Sequence, residues 1–254
     1  MQLSTKMLSV CRAAVRNGRW AVAATAVFGF LGLAAPALAQ SDIVVYASDA
    51  SVVRGNWTQV ASSSGANATA LQSTDWAWTN TSALASPNDY FEASFTAQAN
   101  TNYHVWLRLR GTNNSKYNES VWVQFNDSQN TNGSPQYRIG TSDGLLVNLE
   151  NCRDCGIAQW GWQDKGYWTS QSPIVRFPTT GSHTIRVQIR EDGVGVDQIV
   201  LSPSTYLSRS PGLVANDSTI VPKTGASSTT STSTPFNGSP ATVPGLLQAE
   251  GFDN

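Results

Sequence analysis

Apolar and polar residues alternate along the central part of the chain. In the stretch YHVWLRLRG, every second residue from Tyr103 to Leu109 is apolar, and the stretches 120–127 and 183–192 repeat the pattern. A period of two residues, bounded by Gly, Asn and Asp, is typical of half-buried β-strands. We therefore predict strands in these stretches, with inward side chains that include Val121, Val123, Phe125, Ile185, Val187 and Ile189.

Shorter apolar runs predict the remaining strands. They lie between residues 42 and 202, are separated by turn-forming residues, and read DIVVY, YFEASFTA, QYRIG, LLVNL, IVRF and VDQIVLS. No segment of this region has the period of an amphipathic helix. Many strands without crossover helices predict an all-β fold, an antiparallel β-sandwich of jelly-roll or related topology. Residues 40–222 are enough to bury its core as one domain.

The N-terminus, residues 1–39, has the pattern of a secretory signal peptide. Basic residues between Lys6 and Arg19 precede the uncharged run WAVAATAVFGFLGLAA, and small residues at Ala37 and Ala39 follow it. A membrane anchor is the alternative, but a spanning helix needs about 20 apolar residues. No later stretch is apolar enough to span a bilayer. We therefore predict cleavage after Ala39 and a secreted mature chain, periplasmic or extracellular, without membrane insertion.

The composition changes again towards the C-terminus. Residues 223–242 are rich in Ser and Thr and have no apolar periodicity, which predicts a flexible linker. The chain then resumes with VPGLLQAEGFDN at residues 243–254. A linker that leads into so short a segment suggests downstream domains in a longer chain, or an incomplete gene.

The charge of the chain argues against one class of partner. Charged residues make up 13% of the sequence, and the formal net charge is -1. Such a chain has no positive field to attract a polyanion, and it contains no basic run. We therefore expect no nucleic-acid partner.

Cys152 and Cys155 form a CxxC pair, and Cys11 lies within the predicted signal peptide. An exported protein meets an oxidising compartment, which favours a disulfide between two such cysteines. A thioredoxin-like dithiol needs a helix start in a βαβ unit, and a structural zinc ion needs about four ligands. His104 and His183 are far away in sequence. We expect the disulfide, with a free or redox dithiol and a metal site as the alternatives.

Tryptophans near predicted loops are candidates for stacking on a sugar. A pyranose has an apolar C–H face, which an aromatic plane contacts, and a hydroxyl rim, which polar side chains contact. The candidate carbohydrate-binding residues are Trp57, Trp76, Trp78, Trp160, Trp162, Trp168 and Asp164. For each tryptophan the alternative is packing in the core or as a lid. Trp106 and Trp122 either line a concave sheet face or pack beneath another layer. We expect at least one exposed stacking face, above all in the loop 151–168.

The last residues, VPGLLQAEGFDN, resemble the opening strand of family 6 and family 35 carbohydrate-binding modules, calcium-containing jelly rolls of secreted polysaccharide-degrading enzymes. VVYASDA stands where such modules begin, although it lacks their Ala-Glu step, and EDGVGVDQIVLSP resembles their closing strand. LRLRG together with SVWVQFND resembles the sheet core of galactose-binding-like modules. The resemblance implies a polysaccharide or oligosaccharide partner and a structural calcium ion. Its implied ligands are Glu250, in the last segment, and Asp49 and Asp197, in the main domain.

The sequence contains no recognisable catalytic motif. Neither histidine lies near a nucleophile in a known arrangement. Carboxylates such as Glu92, Glu119, Glu150 and Glu191 leave a glycosidase-like pair open. We predict a non-catalytic carbohydrate-binding module of a secreted multidomain protein. The alternatives are an adhesion or structural β-sandwich module of a large exported surface protein, and a glycan-active enzyme.

Overall fold

The computed structural model describes residues 40–223. Within this range the chain forms short 3-10 turns and twelve β-strands. The strands are β1 Ile43–Tyr46, β2 Val52–Arg54, β3 Trp57–Ala61, β4 Thr69–Ser73, β5 Tyr90–Ala97, β6 Tyr103–Gly111, β7 Ser120–Phe125, β8 Leu145–Asn148, β9 Gly161–Gln163, β10 Ile174–Val175, β11 Gly181–Ile189 and β12 Val194–Ser202.

The strands form two sheets in which neighbouring strands run antiparallel. The first sheet has the order β10-β6-β12-β4-β3, with β1 beside β12 and β9 beside β6. The second has the order β2-β5-β11-β7-β8. The chain crosses repeatedly between the sheets, because β5, β7 and β11 belong to the second and β6 and β12 to the first. The described residues therefore form an antiparallel β-sandwich of jelly-roll type, as predicted.

The main core lies between the two sheets and is built from the predicted inward positions. Alternate residues of β6, from Tyr103 to Leu109, are fully buried there, as are the predicted residues of β7 and β11. Phe177 packs edge-on against Phe95 and Phe125, with ring centroids 5.3 and 5.7 Å away. Such pairs stabilise a core by about 0.5–1.5 kcal/mol beyond their area burial. The alternation of apolar residues thus correctly identifies the inner face of each long strand.

The outer faces of the sheets are also covered, and this changes the interpretation of two tryptophans. On the first sheet, Trp106 packs with Trp162, Val200 and Val221, beneath the segment 203–221. On the second sheet, Trp122 packs with Ala83 and Leu146, and its indole N–H donates to the Asn80 carbonyl at 3.1 Å. Neither ring lines an open concave face. Both pack beneath another layer.

Several shorter elements differ from the sequence prediction. The stretch QYRIG is not a strand: it makes only an isolated bridge between Arg138 and Phe125, and Tyr137 has a positive φ of 49°. Conversely, β2, β3, β4 and β9 were not predicted. These short strands depend on pairing with distant neighbours, and β9 for example pairs with the centre of β6. Their own residues carry little alternation.

The predicted signal peptide, the linker beyond Lys223, and the segment 243–254 with Glu250 lie outside the described residues. The helical turns found within residues 40–223 include none that is long and apolar enough to cross a membrane.

Candidate functional site

Connections from both sheets meet at one end of the sandwich and enclose a cleft of about 370 Å³. The connections are residues 112–119 after β6, 149–156 after β8, the turn 166–169, and the turn 190–193 between β11 and β12. The cleft is lined by Lys116, Tyr117, Glu119, Asn148, Glu150, Arg153, Asp154, Tyr167, Trp168 and Glu191. Polar and aromatic side chains are therefore combined in one concave surface.

Glu119 and Asn148 form a buried polar pair in this cleft. Glu119 directly precedes β7, and Asn148 ends the neighbouring strand β8. The Glu119 carboxylate accepts hydrogen bonds from the backbone N–H of Glu150 at 2.7 Å and from the Asn148 side-chain amide at 3.2 Å. The same amide donates to the Glu150 carbonyl at 3.1 Å. These bonds hold the start of the connection 149–156 against β7.

The environment of Glu119 favours its protonated form. Burial raises the pKa of this carboxyl from 4.5 to about 8, and the nearby Glu191 and Glu150 carboxylates act in the same direction. The hydrogen bonds from Glu150 and Asn148 oppose the shift, because they stabilise the charged form. Perturbed acids of this kind cluster at functional sites.

Two acceptor atoms of the cleft are open. Asn148 is only 2% exposed, and no described residue donates to its Oδ1. This oxygen atom still reaches solvent. Glu150 is also buried, and while its Oε1 accepts from the Gly156 N–H at 3.0 Å, no described residue donates to Oε2. The Glu191 carboxylate is occupied, since Ser120 donates to it at 2.6 Å and Arg190 pairs with it. Asn148 and Glu150 therefore offer acceptors to a ligand.

Aromatic side chains form the rim of the cleft. Trp168 is 50% exposed, and Tyr167 packs edge-on against it with ring centroids 4.7 Å apart. The Arg190 guanidinium lies 5.5 Å from the centre of the Trp168 ring. Tyr117 is exposed on the opposite connection. The Trp168 ring is therefore held by its neighbours while part of its surface stays open to solvent.

The CxxC pair belongs to a connection that lines the cleft. Cys152 and Cys155 form a disulfide, with their Cα atoms 5.3 Å apart, which confirms the predicted bond. Asp154, between them, accepts a hydrogen bond from Lys116 at 2.6 Å. This contact lowers the pKa of Asp154, and it links the disulfide turn to the connection 112–119. The two connections together form one side of the cleft.

The prediction of exposed stacking rings is wrong for Trp160 and Trp162. Trp160 is 1% exposed and Trp162 is fully buried. The first donates to Ser64 Oγ and the second to Asp217 Oδ1, each at 3.1 Å. Both flank Gly161, where a Cβ would come 2.0 Å from the Val214 carbonyl oxygen. The segment 203–221 thus packs directly onto β9 and covers Trp162, while the Trp160 ring lies beside Arg108, Arg110 and Ser64.

The other predicted sugar-binding residues have diverse environments. Trp57 is buried in the core, edge-on to Phe91 at 5.1 Å, and Trp78 is partly buried against the same core. Asp164 pairs with His104 at 2.9 Å and does not line the cleft. Trp76 is 66% exposed on a separate loop. Of the predicted residues, the structure places Trp168 alone in the lining of the cleft, and its role in binding stays a prediction.

The predicted calcium ligands of the main domain do not fit a calcium ion. Asp197 is buried, with one oxygen 2.6 Å from an Arg108 Nη atom and the other accepting from the Ala66 N–H at 2.7 Å. Burial raises the pKa of Asp197, while Arg108 acts in the opposite direction. Asp49 pairs with Lys223 instead. Within residues 40–223, no group of His, Cys, Asp and Glu is arranged to hold a metal ion.

The contribution of several cleft residues could not be found in the sequence. Glu119 and Glu150 attracted notice there only as carboxylates that a chance pairing could bring together. Asn148, Tyr117 and Tyr167 carried no signal, because nothing local distinguishes them from other polar or aromatic loop residues. The tertiary structure alone places these residues around one space.

No family model matches the chain, and no curated protein matches it. The structure is similar to the Podospora anserina GH26-CBM35 β-(1,4)-mannanase, at 14% identity and a TM-score of 0.41, over 65% of this chain and 28% of that one. It is similar to a family 35 carbohydrate-binding module from Clostridium thermocellum, at 13% identity and a TM-score of 0.38, over 65% of this chain and 100% of that one. It is also similar to the C-terminal CBM6 of a laminarinase from Zobellia galactanivorans, at 10% identity and a TM-score of 0.38, over 64% and 99%. The match to an exo-β-1,3-galactanase from Phanerochaete chrysosporium covers only 30% of that enzyme. Because the identities and TM-scores are low, we base the function on the chain's own residues.

Proposed function

We propose that the protein is a non-catalytic carbohydrate-binding module that holds a polysaccharide or oligosaccharide in the cleft beside Trp168. One observation carries the proposal: a half-exposed, laterally supported indole ring borders a concave surface with open polar acceptors. An aromatic plane contacts the C–H face of a sugar, and a few placed polar groups fix its hydroxyls. The ring is already held in place, so binding costs little ordering entropy.

A binding role fits the carboxylates better than hydrolysis does. Glycoside hydrolysis needs one carboxyl group as acid and a second as nucleophile or base. Both oxygens of Glu119 accept hydrogen bonds, and Glu191 is engaged by Ser120 and Arg190. Of these three carboxylates, only Glu150 has an oxygen atom that accepts no hydrogen bond from a described residue.

The proposal also covers the secretion of the protein and its linkage to further domains. The signal-peptide pattern, the disulfide and the Ser/Thr-rich tract favour a secreted protein in which the sandwich is linked to further domains and brings them to a polysaccharide. The adhesion alternative has no structural observation of its own in its favour.

The test is a binding screen of the full chain against a panel of soluble and immobilised polysaccharides, followed by titration of the best ligand. We expect Trp168→Ala to weaken binding by about 1–3 kcal/mol, the scale of burying one large apolar side chain. Leu213→Ala is the matched control, because Leu213 is an exposed apolar residue that does not line the cleft. If no glycan binds, or if both variants bind like the parent, the proposal is wrong. Turnover of the ligand by the parent would instead show an enzyme.

A further inference from the structure

The cleft contains more carboxylates than cations. Its ionised acidic lining residues are Glu150, Asp154 and Glu191, because Glu119 with a pKa of about 8 is mostly protonated near pH 6, and its basic ones are Lys116 and Arg153. Lys116 is engaged by Asp154, and the adjacent Arg190 is engaged by Glu191. Arg153, exposed on the disulfide turn, makes no ion pair with a described residue. No cationic side chain within residues 40–223 therefore forms an ion pair with Glu150, although Lys116 is near enough for the Glu150 charge to raise the Lys116 pKa.

Two polar atoms in the buried part of the cleft, Asn148 Oδ1 and Glu150 Oε2, are open acceptors. The Asn148 side-chain amide donates to the Glu119 carboxylate and to the Glu150 carbonyl, so its Oδ1 remains as an open acceptor. Glu150 contributes Oε2, and a carboxylate is an acceptor only. Oδ1 of Asn148 reaches solvent, so a ligand that displaces this solvent must supply a donor or leave the acceptor unpaired, which is costly. A ligand that fills the cleft must therefore bring hydrogen-bond donors.

We infer that the cleft selects a sugar that carries a protonated amine, as in the glucosamine units of a deacetylated polysaccharide, with the ammonium placed between Asn148 Oδ1 and Glu150 Oε2. This inference rests on the proposed function, and it adds the chemical class of the ligand. An ammonium group has three donors and no acceptor, so it matches an acceptor-only site. Its charge forms charge-assisted hydrogen bonds with Glu150, which are about twice as strong as neutral ones.

The same features disfavour related sugars. A uronic acid would bring a further carboxylate to Glu150, and like charges at short range repel. An N-acetylated amino sugar has a neutral amide with one N–H donor, so it loses the charge and leaves an acceptor unpaired. A neutral hexose can donate hydroxyls but leaves the negative charge uncompensated. The expected order of affinity is amino sugar, then neutral or acetylated sugar, then uronic acid.

The test compares a glucosamine hexamer with an N-acetylglucosamine hexamer on the full chain by calorimetric titration. The measurement is made near pH 6, where an amine with a pKa of about 7.7–8.0 is protonated. We expect the glucosamine hexamer to bind about tenfold tighter, with a preference that shrinks as salt reduces the Debye length from about 8 Å to about 3 Å. Equal affinities, or a preference for the acetylated hexamer, would overturn the inference.

Isosteric variants test whether Glu150 causes the preference for the glucosamine hexamer. Glu150→Gln keeps an oxygen for the Gly156 N–H but removes the charge, so the ratio of the two affinities should fall to about twofold or less. Glu92→Gln is the control, because Glu92 pairs with Arg186 on β5 and β11 and does not line the cleft, and it should keep the parent ratio. An unchanged ratio in Glu150→Gln would overturn the placement of the ammonium. If neither hexamer binds while another glycan binds through Trp168, the amine inference fails and the proposed function stands. If no glycan of any class binds, the proposed function itself fails.

Discussion

Trp160 and Trp168 come from the same loop of the sequence and have opposite environments. Trp160 is buried, and the guanidinium groups of Arg108 and Arg110 lie 5.1 and 4.7 Å from its ring centre. Trp168 has a guanidinium neighbour too, but half of its surface is open. Exposure, and not residue type, therefore decides which of the two can contact a ligand.

The contrast predicts different effects of truncation. Trp160→Ala should lower the free energy of unfolding by about 3–5 kcal/mol, because it leaves a cavity beside Arg108 and Arg110. Trp168→Ala should change stability much less and lower affinity instead. Denaturant unfolding and ligand titration on both variants measure the two quantities. A Trp168→Ala variant that loses as much stability as Trp160→Ala would place Trp168 in a structural role.

Glu119 predicts a dependence of stability on pH. Its folded pKa is raised to about 8, whereas its ordinary value is 4.5, so between these values the folded state holds a proton that the unfolded state has released. Stability from this group is therefore lost as pH rises from about 4.5 to about 8. We expect Glu119→Gln, which stays neutral, to reduce the decline of the unfolding free energy over this interval by roughly 1–3 kcal/mol. Unfolding curves of parent and variant that stay parallel across the interval would show that Glu119 has an ordinary pKa.

Among the elements, the segment 203–221 converts the outer face of the first sheet into an interior. The Arg108 side chain projects from that face and is fully buried. It pairs with Asp197 at 2.6 Å and donates to the Asp217 carbonyl at 2.8 Å. The ion pair thereby joins β6, β12 and the covering segment.

Removal of the guanidinium should be costly. Arg108→Met would leave Asp197 buried without its cation, and breaking a buried pair in this way costs about 3–5 kcal/mol. Arg186→Met is the matched control, because the side chains of the Arg186–Glu92 pair keep 14% and 19% exposure, so that solvent can compensate Glu92 and the loss should be smaller. Chemical denaturation of both variants gives the comparison. Equal losses in the two variants would contradict a special role of the buried pair.

The disulfide turn should matter more for binding than for stability. The bond closes a loop with a sequence separation of 3, so its removal should cost at most about 2 kcal/mol on the chain-entropy model. The double variant Cys152→Ser/Cys155→Ser loosens the side of the cleft that holds Asn148 and Glu150, and we expect weaker ligand binding. Thiol titration of the unfolded, unreduced parent should find no reactive group. A double variant with parental affinity would show that the bond does not shape the cleft.

At the scale of the whole molecule, the two aspartates that the family resemblance implied as calcium ligands are paired with cationic side chains of the protein. Arg108 supplies the positive charge beside Asp197, and Lys223 supplies it beside Asp49. We therefore expect the melting temperature of the full chain to be the same in EDTA and in excess calcium. A ligand that binds only the folded state would raise the melting temperature with its concentration. A rise with calcium would show an ion site elsewhere, and Glu250 would be the first residue to substitute.

The sequence by itself determined which residues of the long strands form the core between the two sheets. The alternation in β6, β7 and β11 identified the residues that meet in the core, because one side of each strand must be apolar to be buried. It also identified the CxxC disulfide, which needs no distant partner.

The tertiary structure alone decided what covers the outer faces and which residues surround the cleft. Trp168 had a signal as a tryptophan in a predicted loop, whereas Glu119 and Asn148 had none as partners in a site, and the three meet only because the start of β7, the end of β8 and the turn 166–169 lie at the same edge of the sandwich. Trp162 was misjudged for the same reason: Val221, which encloses its ring, lies far along the chain, and periodicity within a strand carries no information about such a contact.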